Sequence, residues 1–154
     1  MNRADLAYRK TAVEGASGFG LLIALYDTLA GNLRRAAAAQ RVNDIEGRCR
    51  EAKHAIRVIG YLESCLYGSE GGDLKLQLRA FYRSLRRRLI VAQVKQSAEM
   101  LEQGMAEVLR IREYWQQIDQ RSAASETAAM RATPLSPAGY TPAPAARRIS
   151  GWSV

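Results

Sequence analysis

The chain has 154 residues and carries 23 Lys and Arg against 15 Asp and Glu, a formal net charge of +8. That length suits one domain with a core that closes without disulfide or metal. One histidine cannot complete a zinc site of Cys and His ligands, and a Ser-His-Asp hydrolase would hang on His54 alone. No apolar run approaches the ~18 residues of a membrane span. The longest apolar-leaning stretch, Leu21 to Tyr26, is far shorter. No apolar region follows the first charged residues, as a secretory signal requires, so the chain is expected in the cytosol. Dinucleotide, P-loop and HExxH motifs are absent.

Residues 1–16 offer only Leu6, Tyr8 and Val13 as sizeable apolar anchors, which predicts a flexible N-terminal segment. From there to residue 121 the chain contains no proline and is rich in Ala, Leu, Arg and Glu, a helical composition. The first helix shows Phe19, Leu22, Tyr26, Leu29, Leu33 and Ala36 at alternating steps of three and four, behind Ser17 as N-cap. Leu21 and Leu25 lie beside this seam and Ile23 falls on its other flank. The apolar sector is thus wider than the ~100° that one packed face needs. That width fits either a central, fully packed helix or a groove for another apolar segment.

The second helix shows Ile45, Cys49, Ala52, Ile56, Ile59, Leu62 and Leu66, opening on Asn43-Asp44-Ile45-Glu46, with Asn43 as cap and Glu46 three residues on. Cys49 and Cys65 lie about 24 Å apart along it at ~1.5 Å per residue, too far for a disulfide. They read as reduced, half-buried thiols. Tyr67-Gly68-Ser69-Glu70-Gly71-Gly72 breaks the pattern before a third helix with Leu74, Leu78, Phe81, Leu85, Leu89 and Ala92. Lys75, Arg79, Arg83 and Arg86, with Arg87 adjacent, form a basic line on it. This is a solvated face or a site for an acidic partner; few aromatics interleave, so nucleic acid is not expected. After Lys95-Gln96 comes a fourth helix with Ser97 as cap and Leu101, Met105, Val108, Ile111, Trp115 and Ile118 inward. Tyr114 gives that helix an amphipathic edge.

Such helices, about 22–25 residues each with short links, predict an all-α antiparallel up-down four-helix bundle over residues 17–121. All four prolines, Pro134, Pro137, Pro142 and Pro144, follow it. Residues 122–154, rich in Ala, Ser, Thr and Pro, predict a disordered tail, with Tyr140, Ile149 and Trp152 scattered along it.

One catalytic reading exists. His54-Ala55-Ile56-Arg57 resembles the phosphorylated stretch of histidine phosphotransfer bundles, but Val58 stands where those need a small glycine.

The sequence also resembles the flagellar export chaperone family FliS. Ala7-Tyr8-Arg9-Lys10 with Val13 and Ala16-Ser17 is similar to its opening, and Leu21, Leu25-Tyr26-Asp27 and Leu33 to its first helix. Asp44-Ile45-Glu46, Gly71-Gly72-Asp73-Leu74, Tyr82, Arg88-Leu89, Ala92 and Trp115 follow in the family's order, across residues 7–118. Gly18-Phe19-Gly20, Thr28 and Gln93 depart from its usual residues. The resemblance implies a cytosolic chaperone, neither enzyme nor cofactor binder, that holds the C-terminal segment of flagellin until export. Export gate components are a further partner it admits; neither nucleic acid nor membrane insertion is expected. With the wide face of helix one, it makes Tyr8, Leu21, Ile23, Leu25 and Tyr26 the candidate flagellin-binding residues. It further implies that residues 1–16 cover this groove as a removable lid, anchored by Tyr8.

Overall fold

Each of the four apolar rhythms becomes a helix in the computed structural model, which describes residues 18–67 and 71–132. The elements are α1 (Gly18–Arg41), α2 (Ile45–Ser64), α3 (Gly72–Lys95) and α4 (Ala98–Ala132), with no strand among the described residues. The expected N-terminal segment, its Tyr8, the Ser17 cap and tail residues 133–154 lie outside the described residues.

The turns follow local chemistry. Ser97 caps α4 as its position predicts, its Oγ accepting from the Met100 amide at 3.2 Å. The α2 cap falls one residue later than expected. Asp44, not Asn43, is the N-cap, and its Oδ1 accepts from the Gly47 amide at 2.9 Å. Asn43 has φ 56°, a left-handed conformation that Asn tolerates better than most residues, and so makes the turn itself. Gly47 is required beside this cap, because a Cβ there would stand 2.1 Å from Asp44 Oδ2.

Ion pairs mark the order of the helices. Arg35 meets Glu51 at 3.0 Å between α1 and α2, and Arg86 meets Glu63 at 2.7 Å between α2 and α3. Arg88 meets Glu107 at 2.9 Å between α3 and α4. Arg112 meets Asp27 at 2.8 Å, and Arg41 grips Glu102, between α4 and α1. Adjacent helices therefore run antiparallel around a ring, leaving α1 and α3 diagonal. Backbone approach is closest between α1 and α2, where Ala36, Ala37, Ala52 and Ala55 are buried and small.

Most of the predicted seams form the core, but Ile45 and Leu74, at the first turns of α2 and α3, are exposed, and Tyr82 rather than Phe81 is the buried aromatic of α3. Tyr26, Leu29, Leu33 and Ala36 of α1 meet Ile59, Leu62, Tyr82, Leu85, Leu89, Leu101 and Val108, each at most 1 % exposed. At ~25 cal/mol per Å² of apolar surface, this burial is the main term holding the bundle together. Tyr26 and Tyr82 join hydroxyls at 2.7 Å across the core, from one diagonal helix to the other.

Three expectations need correction. The helices are not near-equal: α2 has 20 residues and α4 has 35. The cysteines are exposed rather than half-buried, and Cys65 lies just past the end of α2, as its C-cap. Residues 122–132 are helical, not an unstructured tail. Ala, Glu, Met and Arg propagate a helix without a packed face, and the first proline, Pro134, stands beyond them. Backbone contacts still divide the chain into units Met1–Arg121 and Ser122–Val154. Residues 122–132 are exposed throughout. A chain ending at Arg121 should therefore keep its thermal midpoint within about 2 °C, or about half a kcal/mol for a domain of this size. Calorimetric melting of the two lengths checks this.

Burial pushes the hydroxyls of both Tyr26 and Tyr82 up from their ordinary value of 10.0. Keeping both neutral thus contributes stability that is complete below the pKa of an unfolded phenol, near ~10, and lost as pH rises above it. Alkaline titration should show the two phenols ionising only with loss of helix content. Tyr82→Phe should cost roughly 1–2 kcal/mol by leaving the Tyr26 hydroxyl unpaired, measurable by urea unfolding near neutral pH.

Candidate functional site

In an up-down bundle the start of α1, the end of α2 and the start of α3 meet at one end. Among the described residues that end does not close. An apolar cavity of about 350 Å³ lies among Phe19, Leu21 and Leu22 of α1, Leu62 and Leu66 near the end of α2, Leu78 and Tyr82 of α3, and Trp115 of α4. Its floor is fixed. Leu62 is fully buried, and Tyr82, Leu78 and Trp115 expose at most 7 %. Phe19 stacks against Trp115 at a centroid distance of 6.0 Å with the rings tilted by 31°, and Tyr114 meets the same indole edge-on at 5.5 Å. Leu21, 39 % exposed, stands at the rim.

The polar groups near the floor turn inward or are already engaged. The Tyr82 hydroxyl is held by Tyr26, and burial is the largest cause of its raised pKa. Tyr26 is raised by the same cause, which its bond to Tyr82 and the nearby Trp115 indole partly offset. Trp115 Nε1 is itself buried and makes no hydrogen bond within bonding geometry. Of the other lining side chains only the Cys65 thiol is ionisable. Among the described residues no group of three or more His, Cys, Asp or Glu could hold a metal ion. Apart from the Cys65 thiol, the Trp115 indole nitrogen and the Tyr82 hydroxyl already held by Tyr26, the lining is apolar. What it offers is a dry surface for apolar side chains.

The structure places the predicted residues unevenly. Leu21 belongs to the cavity. Ile23 and Leu25 pack half-buried against the core on α1, outside the cavity lining. Tyr26 is 0 % exposed and belongs to the core beneath it, which corrects its reading as a partner contact. Leu62, Leu66, Leu78 and Trp115 were seam positions in the sequence and not site positions, and Tyr82 was neither, since Phe81 stood in the expected α3 seam. Their shared place at one bundle end was the signal, and it requires the helices to be aligned first. His54 is exposed on the surface of α2 while Ala55, Val58 and Ile59 turn inward.

No described helix is long and apolar enough to cross a membrane. Comparison with curated proteins gives no match. The family model described as flagellar protein FliS matches residues 1–122, most of the chain and all of its first unit. An all-α bundle with an open apolar end, matched over that span, belongs to the FliS family of flagellar export chaperones.

Proposed function

We propose that this chain holds the C-terminal segment of flagellin in the cytosol, keeps it from polymerising early and presents it for export. The observation that carries this reading is the apolar cavity of about 350 Å³ at the open end of the bundle, in a member of an export chaperone family. A chain that is unfolded alone and helical in its assembly has apolar side chains to cover. The cavity takes such side chains, and the half-buried Ile23 and Leu25 extend the apolar surface along α1. Tyr26 supports the site from below through Tyr82. Coupled folding and binding sets apolar burial against the ordering cost of the segment. The removable lid that the family resemblance implies, residues 1–16 with Tyr8 as anchor, is part of this proposal. Export gate components receive the loaded complex.

Titration calorimetry with a flagellin C-terminal peptide should give one-to-one binding with a negative heat-capacity change. Absence of binding at tens of micromolar peptide, roughly −6 kcal/mol, would falsify the reading. Leu21→Asp should weaken the complex at least about tenfold, or ~1.4 kcal/mol, with little loss of helix content, because the side chain is already partly in water. Leu29→Asp, at a position 0 % exposed, should instead unfold the bundle, since an unpaired buried charge costs several kcal/mol. Equal loss of helix content in both variants removes the cavity from the account.

A lid that must leave before binding lowers apparent affinity by the fraction of open protein. Deleting residues 1–12, or Tyr8→Ala, should therefore speed association in stopped flow and raise binding of an apolar dye by the free protein. Identical rates in all three proteins would reject the lid.

A further inference from the structure

A second cleft, of about 200 Å³, lies on the α2–α3 seam beside the apolar cavity. Lys75, Arg79, Arg83 and Arg86 of α3 line it with Glu63, Leu66 and Tyr67 from the end of α2. Lys75, Arg79 and Arg83 recur at successive turns, about 6 Å apart along the helix. Among the described residues the lining therefore holds four cations and one carboxylate. Like charges at i, i+4 on a helix repel. Arg79 and Arg83 are exposed, so core packing does not account for them. Among the described residues no ion pair reaches either one.

The cleft already displays what it recognises. Arg86 Nη2 donates to Glu63 Oε2 at 2.7 Å, so a carboxylate sits in it, supplied by the chain itself. We propose that this cleft is a docking site for an acidic peptide segment of a partner protein, with carboxylates of that segment on Arg79 and Arg83 and competing with Glu63 for Arg86. Guanidinium forks pair with carboxylates in bidentate geometry. Alternate side chains of an extended strand stand about 6.6–7 Å apart, close to the one-turn spacing of the arginines. Leu66 and the exposed Tyr67 give such a segment an apolar wall. Single-stranded nucleic acid fits less well: it needs a longer basic track with several stacking aromatics, and Tyr67 is the one aromatic in the lining. Leu66 lines the apolar cavity too, so the cleft adjoins that cavity, but its chemistry does not depend on which segment fills the cavity.

The test is fluorescence anisotropy with a labelled short peptide of alternating Glu and Ser, alongside a labelled deoxythymidine oligonucleotide. The full chain should bind the peptide saturably, and the affinity should fall more than about tenfold between about 50 mM and 500 mM salt as screening shortens. Arg79→Glu with Arg83→Glu should abolish binding while circular dichroism stays unchanged. Arg34→Glu with Arg110→Glu, exposed positions outside the cleft lining, should change it less than about twofold by screening alone. Glu63→Gln should tighten peptide binding several-fold by releasing Arg86. Glu46→Gln, the same loss of charge at an exposed position outside the cleft lining, should give a clearly smaller gain, and an equal gain in the two variants overturns the proposal in favour of a merely basic surface. Leu21→Asp should leave it intact, which separates this cleft from the apolar site. No saturable peptide binding, equal loss in the two arginine pairs, or tighter binding of the oligonucleotide than of the peptide each overturns the proposal.

Discussion

The hydroxyl contact between Tyr26 and Tyr82 divides the interior of this bundle into two halves. Toward the α1–α2 turn the core is closed by Leu29, Leu33, Ala36, Ile59, Leu85, Leu89, Leu101 and Val108, all at most 1 % exposed. Toward the start of α1 the lining is larger and the helices leave a cavity. Two bulky phenols facing each other across the diagonal keep α1 and α3 apart. They also use their polar ends on one another, so the space beside them stays apolar. The same contact that braces the core therefore leaves its open end dry.

Small residues and charged ones divide the remaining work. Alanines on α1 and α2 let those helices approach most closely, and the missing side chain of Gly104 on α4 makes room for Leu85 of α3. A Cβ on Gly104 would meet Leu85 Cδ1 at 3.2 Å. The interhelical ion pairs lie at the partly exposed seams, where each contributes roughly 0–1 kcal/mol. They add little stability beside the core. Their placement on all four seams does agree with one register and one order of helices. Gln96 at φ 51° and Ser97 together make the last turn in two residues, which holds α4 antiparallel against α3.

The outcome is a molecule with two neighbouring surfaces of different chemistry. One is an apolar cavity whose affinity comes from burial and does not depend on salt in the first instance. The other is a cleft with a surplus of guanidinium charge, which acts over a Debye length and weakens in salt. A chaperone for a partly unfolded protein gains from both. On the two proposals above, the cavity covers apolar side chains and the cleft takes an acidic segment.

Much of this was legible in the residues alone. The alternation of threes and fours named the four helices and most core side chains, because an amphipathic helix must repeat its apolar residue each turn whatever it packs against. It did not name Ala30, Ala37, Ala55, Val58 or Tyr82. Ser97 was readable as a cap for the same local reason. The basic line on α3 was visible as well. What local pattern could not supply was any property that depends on neighbours. Asn43 and Asp44 are both good caps, and the turn geometry chose between them. The stretch from Ser122 to Ala132 has no apolar face, yet it extends a helix already nucleated by packed residues before it. Tyr26 looked like part of a groove until Tyr82 arrived from a helix 56 residues away to bury it. The cavity is made by one or more side chains from each of four helices, in groups far apart along the chain. Periodicity determined which face of each helix points inward, but only the alignment of helix ends decided where the inward faces fail to meet.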